Sequence, residues 1–423
     1  MGASFYVHNF GCRANQADGA ALAAACEQAG LRAAEESEAD WVVFNTCTVT
    51  AAADAEARRA IRRLHRLRPQ AQIAVTGCYA ERAGPEIAGL GGVTLVAGHR
   101  GKAALPQQLL GVQPQPQKLA ALAQLEFRRE GSGERSRPVV KVQEGCGRAC
   151  SFCIIPQVRG ASRSRPLGEV LGTIDTLVAA GHAEIVCSGI NLGQWGRDLD
   201  GNLRLADLAR SILEQTALPR LRLSSVEPRD WTPELTALMA ASGGRLARHA
   251  HLPLQSGSDA VLQRMHRRYR AQDYAALVEE LAAQVPGVAI GADVMAGFPG
   301  ESGAEFAEGL ALIEKLPLAY LHVFPFSLRP GTEAARRLEA GAWRAVPAAV
   351  TMARVARLRQ LGAAKRIAFL DALVGRTLSA VALHGGEAIS DNYARITLAT
   401  PAAPGTLVAV PIRERNGEML TAL

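Results

Sequence analysis

Residues 138–160 read PVVKVQEGCGRACSFCIIPQVRG. The first half alternates β-branched and polar residues, which predicts a strand ending near Gly145. Directly after it stand Cys146, Cys150 and Cys153, spaced C-x-x-x-C-x-x-C. A closed structural zinc site needs four ligands, and this loop offers three thiols and no histidine. A 4Fe–4S cluster held by three thiolates instead leaves one iron open to an outside ligand. S-adenosylmethionine suits that position: its amino and carboxylate groups chelate the iron, and its sulfonium lies close enough to accept an electron. Reduction then cleaves the S–C5′ bond and releases a 5′-deoxyadenosyl radical.

Downstream of this loop, runs of strand character alternate with helical stretches. The candidate strands are PVVKVQEG, AEIVCSGI, RLRLSSVE, RHAHLPLQ, VAIGADVMAGF and YLHVFPFS. Six units are too few for a closed eight-stranded barrel and suit a partial one, with its chemistry at the strand carboxyl ends. Upstream, SFYVHNFGC, DWVVFNTC and QIAVTGC are each an apolar run closed by a cysteine: Cys12, Cys47 and Cys78. Their separation is about one βαβ unit, so a parallel sheet brings all three to one edge. Between these halves, QPQPQK and RREGSGERSR read as a linker. Beyond about Asp371, TLSAVAL, YARITL and TLVAVPI are short strands broken by turns. The expected fold class is α/β: a parallel-sheet domain over 1–112, a linker over 113–131, a partial (β/α)6 barrel over 132–365, and a small β domain over 366–423.

The chain has 423 residues, 48% hydrophobic and 21% charged, an ordinary globular composition. Its net charge is +7, carried mostly by Arg, which permits a nucleic-acid partner. No stretch approaches the ~18 apolar residues of a membrane span, and the opening MGASFYVHNFGC lacks a signal-peptide profile. We therefore expect a soluble, cytoplasmic protein without a membrane partner, and a monomer. Of eight cysteines, Cys26 and Cys187 fall inside a helical stretch and a strand and read as packing residues.

Taken together, these motifs resemble the radical S-adenosylmethionine enzymes, and more narrowly their methylthiotransferases. GCRANQAD, FNTCTVT and VTGC match the amino-terminal domain of that family. VQEGCGRACSFCIIPQVRG matches the radical loop, and SGINLG, RLSSVEP, HLPLQSGS, GADVMAGFPGE and HVFPFSLRPGT match later strand ends in order. The resemblance implies two 4Fe–4S clusters: one on Cys146, Cys150 and Cys153, and an auxiliary one on Cys12, Cys47 and Cys78 that supplies sulfur. It implies S-adenosylmethionine as both methyl and radical source. GCRANQ, NTCTVT, RLSSVEP and HVFPFSLRPGT look most like the branch that modifies threonylcarbamoyladenosine beside the tRNA anticodon. The other branches act on isopentenyladenosine in tRNA or on a ribosomal-protein aspartate. The loop departs from relatives at Gly147, Arg148 and Ala149, and at Gln157, where an aromatic is common. The tail resembles a shortened TRAM domain, an RNA-binding β-barrel.

Expected contacts for S-adenosylmethionine are Phe152, Gly189, Asn191, Ser225, Glu227, Gln255, Ser256 and Arg268. Expected RNA contacts are Arg159, Arg163 and Arg165 in VRGASRSR, with a cationic helix face at Arg58, Arg62 and Arg66. The expected partners are a tRNA anticodon stem-loop, a flavodoxin- or ferredoxin-like electron donor, and a sulfur source.

Overall fold

The computed structural model describes residues 3–112 and 136–422. The expected linker at 113–131 and the first residues of the expected core, 132–135, lie outside the described residues.

Five parallel strands form the first sheet: β1 (Ser4–Asn9), β2 (Arg32–Ala33), β3 (Trp41–Thr46), β4 (Gln72–Gly77) and β5 (Val93–Gly98), in the order β2-β1-β3-β4-β5. The sequence reading found β1, β3 and β4 and missed the two edges. Two-residue β2 is too short to show alternation, and β5 carries no cysteine to mark its end. Apolar residues on both sheet faces pack against helices, as a parallel sheet requires: Val42, Phe44 and Val75 on one side, Phe5, Val43 and Ala74 on the other. Helix Ala51–Leu67 starts because the Thr50 side chain accepts a hydrogen bond from the Ala53 amide. It buries Ile61 and Leu64 and exposes Arg59, Arg62, Arg63 and Arg66.

The second unit contains six parallel strands. They are β6 (Val139–Glu144), β8 (Glu184–Gly189), β9 (Arg220–Leu223), β10 (His249–His251), β11 (Ala289–Ala296) and β12 (Tyr320–Pro325), with the short β7 (Arg163–Ser164) antiparallel on β6. All six predicted runs contain a strand. β9 and β10 are joined at a looser seam, where Leu221 exchanges backbone hydrogen bonds with Arg245 and Ala247 at 2.7 and 2.8 Å. Val140, Val142, Ile185, Leu221, Ala250 and Ile290 face the surrounding helices and form the main core. The alternate positions therefore face inward, and they are polar: Lys141, Gln143, Arg222, His249, His251 and Asp293. On the inner wall His251 Nε2 and Asp293 Oδ1 are 2.9 Å apart, and Tyr320 Oη lies 2.8 Å from His249 Nε2.

The last unit is a closed barrel of β13 (Thr377–Ala382), β14 (Glu387–Ser390), β15 (Arg395–Thr397), β17 (Met419–Ala422) and β16 (Leu407–Asn416). Its turn Ser390–Tyr393 plugs the amino-terminal mouth of the larger barrel. Arg222, fully buried, donates to both carboxylate oxygens of Glu184 at 2.7 and 3.1 Å and to the carbonyls of Ser390 and Asp391 at 2.9 and 3.0 Å. Arg248 pairs with Asp391 at 2.6 Å, and the Tyr393 ring stacks on His249 at 4.4 Å. Among the described residues, no helix is long and apolar enough to cross a membrane.

Candidate functional site

The register of the first sheet gathers its cysteines. Thr46 pairs with Gly77, so Cys47 and Cys78 follow neighbouring strand ends. Cys12 follows β1, which pairs with β3, and stands at the start of helix Arg13–Gln28. Gly11 is needed for the approach. Its φ is +87°, and a Cβ there would lie 2.5 Å from Cys47 Cβ and 2.8 Å from Cys47 Sγ. Gly77 meets the same constraint, with φ +96° and a hypothetical Cβ 2.4 Å from the Thr46 carbonyl. Gly11→Ala is therefore expected to force Cys47 away from Cys12 and to lower the iron bound per chain, leaving the loop of Cys146, Cys150 and Cys153 in place. Iron and sulfide analysis of anaerobically purified protein checks this.

The second triplet sits on the loop after β6. Gly145, with φ +71°, turns the chain against the Ala161 carbonyl. The loop is tied down by Cys146 N to Gly160 O at 3.0 Å, Ser151 N to Met265 O at 3.1 Å and Ala334 N to Ser151 O at 2.7 Å. Asn191 Nδ2 lies 3.5 Å from Cys146 Sγ. Burial pushes the Cys153 thiol up to about 12, although the Ile155 amide hydrogen-bonds its sulfur. Burial likewise takes Cys47 up to about 12, partly offset by the Val49 amide. Cys78 and Cys150 are raised for the same first reason, and cationic Arg159 and Arg267 respectively lower them. Cys47, Cys78, Cys150 and Cys153 thus disfavour a bare thiolate, and both triplets offer N–H donors to sulfur, a donor set that a cation-bearing cluster would complete.

The two sites are neighbours. Cys78 packs in one apolar cluster with Ile154 and Val158, the residues just beyond Cys153. Charged contacts seal the boundary. Asp54 meets Arg82 at 2.8 Å and Arg329 of the larger barrel at 2.6 Å. Asp18 meets Lys141, Lys102 and Arg159. Burial alone would raise the Asp18 carboxyl, but Lys141, Lys102 and Arg159 outweigh it and hold it well below the usual carboxylate range.

A cavity of about 580 Å³ opens beside Cys150, a size suited to a cofactor-sized molecule. Arg148, Glu227, Arg267, Arg268 and Tyr269 are in its wall. Glu227 and Arg268 were expected there. Arg267 was not, yet it is the better placed of the two arginines: it bonds Glu227 at 2.5 Å and lies over the Phe152 ring, while Arg268 is exposed. Buried polar atoms without a partner are found at this edge of the barrel: Asn191 Oδ1, Gln255 Oε1, Arg148 Nε and Arg267 Nε. They fit a polar ligand such as S-adenosylmethionine. Gly189 packs tightly on Gln143, Gln255 has φ +65°, Ser256 is buried and Ser225 is exposed.

The expected RNA arginines divide. Arg163 is exposed. Arg165 is half-buried and donates to Thr173 at 3.1 Å. Arg159 is a correction: it is buried, and its guanidinium is held by Glu144, Asp18, Asn15 and Cys78, so no phosphate reaches it. Arg58 is likewise engaged, with Tyr79 and Glu86.

Comparison with known proteins agrees with this architecture. Residues 4–98 match uncharacterized protein family UPF0004, and residues 140–313 match the radical SAM superfamily. The chain is 36% identical to threonylcarbamoyladenosine tRNA methylthiotransferase MtaB of Bacillus subtilis, over 79% of this chain and 76% of that one. It is 34% identical to MtaB of Aquifex aeolicus, over 95% and 98%. It is also 34% identical to tRNA-2-methylthio-N(6)-dimethylallyladenosine synthase of Acidothermus cellulolyticus, over 99% and 87%. In fold it is similar to the radical S-adenosylmethionine methyltransferase TsrM of Kitasatospora setae with cobalamin and a [4Fe-4S] cluster bound, with TM-score 0.60 and 17% identity over 81% and 75% of the two chains. A radical loop on a six-stranded partial barrel, fused to a three-cysteine parallel sheet and matched over nearly its whole length by such relatives, places the chain in the radical S-adenosylmethionine methylthiotransferase family.

Proposed function

We propose that this chain inserts sulfur and a methyl group at C2 of N6-threonylcarbamoyladenosine next to a tRNA anticodon, using two 4Fe–4S clusters and S-adenosylmethionine. The observation that carries the reading is the contact of Cys78 with Ile154 and Val158, which sets one triplet against the other. C2 of adenine has no acidic proton and no leaving group, so side-chain acid–base catalysis alone cannot install sulfur there. The bound clusters and S-adenosylmethionine supply one-electron chemistry and the sulfur and methyl groups.

The protein's own residues hold and shield. Cys12, Cys47 and Cys78 take the auxiliary cluster; Cys146, Cys150 and Cys153 take the other. Burial of Cys47 and Cys78 keeps water away from the sulfur-donating side. The Arg267–Glu227 pair stiffens the cavity wall beside Cys150. Arg163, and Arg59, Arg62, Arg63 and Arg66 on their helix, present exposed charge for RNA phosphates. A base in an anticodon loop is splayed into a pocket more readily than one in a duplex. An electron donor of flavodoxin or ferredoxin type and a sulfur source complete the turnover from outside the chain.

Incubation with reductant, S-adenosylmethionine and each hypomodified tRNA tests the reading, with methylthio nucleosides measured by mass spectrometry. Product from threonylcarbamoyladenosine tRNA is expected, and binding should weaken steeply with salt. Product only from isopentenyladenosine tRNA would overturn the substrate assignment.

A further inference from the structure

Arg159 closes the short helix Ile155–Arg159, which follows the radical loop. Its guanidinium crosses into the other domain. Nε lies 3.1 Å from Cys78 Sγ. Nη1 is 2.9 Å from each carboxylate oxygen of Glu144. Nη2 donates to Asp18 at 3.0 Å and to Asn15 at 3.3 Å. Glu144 stands two residues before Cys146, and Asn15 and Asp18 lie on the helix that begins after Cys12. One rigid planar group therefore braces segments of both triplets while touching a sulfur of one of them.

The surrounding cations set a positive field at that sulfur, opposing the burial around it. Lys102, Lys141 and Arg159 are three cations around two carboxylates, Asp18 and Glu144. One positive charge is left over, and the donor nearest Cys78 is Arg159 Nε. Lysine could not replace it: an ammonium lacks the fork that binds Glu144 with one edge and aims Nε sideways.

We propose that Arg159 is a positioning residue acting across the domain boundary: its Nε–H hydrogen-bonds the Cys78 sulfur of the auxiliary cluster, raises that cluster's reduction potential, and ties the potential to docking of the radical loop. This inference rests on the two-cluster reading above. A hydrogen bond to a ligating sulfur withdraws electron density from the iron and favours the reduced state. The effect is strengthened in a buried, low-dielectric setting.

The test uses the full-length chain with Cys146, Cys150 and Cys153 replaced by alanine, so that only the auxiliary cluster remains. About four irons per chain are expected; their absence would overturn the two-cluster reading itself. Into this background go Arg159→Met and Arg159→Lys. Lys102 and Lys141 still neutralise Asp18 and Glu144 in the methionine variant. Redox titration followed by electron paramagnetic resonance should show a lower midpoint potential in both variants at unchanged iron content. A potential and iron content equal to those of the parent would overturn the proposal. Should either substitution cost the fold or the cluster, the parent labelled with 15N-arginine decides. Hyperfine coupling from a guanidinium nitrogen to the reduced cluster is expected, and its absence rejects the role of Arg159.

Discussion

Cys47→Ala removes the methylthio product while S-adenosylmethionine cleavage persists. Cys47 is the central donor of its triplet, directly after β3, which lies between the strands that lead to Cys12 and Cys78. It is buried, and the cavity left by its sulfur offers no replacement ligand, because its surroundings are Gly11, Thr46 and the apolar cluster of Phe10 and Phe44. Loss of an outer hydrogen bond to a ligand costs about 10–100-fold in metal affinity or activity, so loss of the ligand itself should lower product by more than about 100-fold. The loop bearing Cys146, Cys150 and Cys153 is anchored to Gly160, Met265 and Ala334 in its own barrel. Its fold therefore does not depend on Cys47, and 5′-deoxyadenosine formation should stay within a few-fold of the parent. Chromatography of 5′-deoxyadenosine beside mass spectrometry of the nucleoside reads both quantities from one reaction. Simultaneous loss of both would deny the triplets separate roles. The mirror experiment, Cys150→Ala, should lose both at once.

Arg222→Met destabilises the plugged end of the large barrel. Glu184 is buried, and burial alone would raise its carboxyl; Arg222, followed by Arg137 and Arg220, outweighs that and holds it at about 2. Breaking a buried pair so that one charge is left uncompensated costs about 3–5 kcal/mol; Arg137, which stays 3.1 Å from Glu184, offsets part of that cost here. The methionine variant also strips two donors from the carbonyls of Ser390 and Asp391. The expected result is a lower melting temperature and faster proteolytic release of the carboxyl-terminal barrel, at unchanged iron content. The pH dependence has a definite sign. A carboxylate whose folded value lies below its unfolded value of about 4.3 contributes stability above that pH and loses it as pH falls toward 2. The gap between parent and variant is therefore widest near neutrality and narrows on acidification. A gap that stays constant from pH 5 down to pH 2 would contradict the assignment of Glu184 as the carboxylate that Arg222 stabilises.

Much of this was legible in the sequence because strands in parallel sheets are apolar runs of a few residues, and six of the eight cysteines close such runs or follow one. The spacing in residues 138–160 needed only chemistry to interpret. What stayed hidden was direction. RMHRRY shows consecutive arginines and not which one turns inward; the chain buries Arg267 on Glu227 and exposes Arg268. Arg159 looked like a phosphate ligand because sequence records charge without burial. Its partners Asp18 and Asn15 are more than a hundred residues away. Strands β14 and β17 have four residues each and too little alternation to stand out. The plugging turn was unreadable for another reason: Ser390, Asp391 and Asn392 have the composition of an exposed turn, yet all three are buried against the larger barrel.

That turn changes what a truncation experiment would mean. A chain stopped before Thr377 would not merely lack an accessory module; it would have an open floor. Solvent would flood in beneath His249 and Arg222, and the polar lining that β6 to β12 share would rearrange far below the iron-binding rim. Loss of activity in such a shortened enzyme would then report a leak in the reaction vessel as readily as a missing grip on RNA.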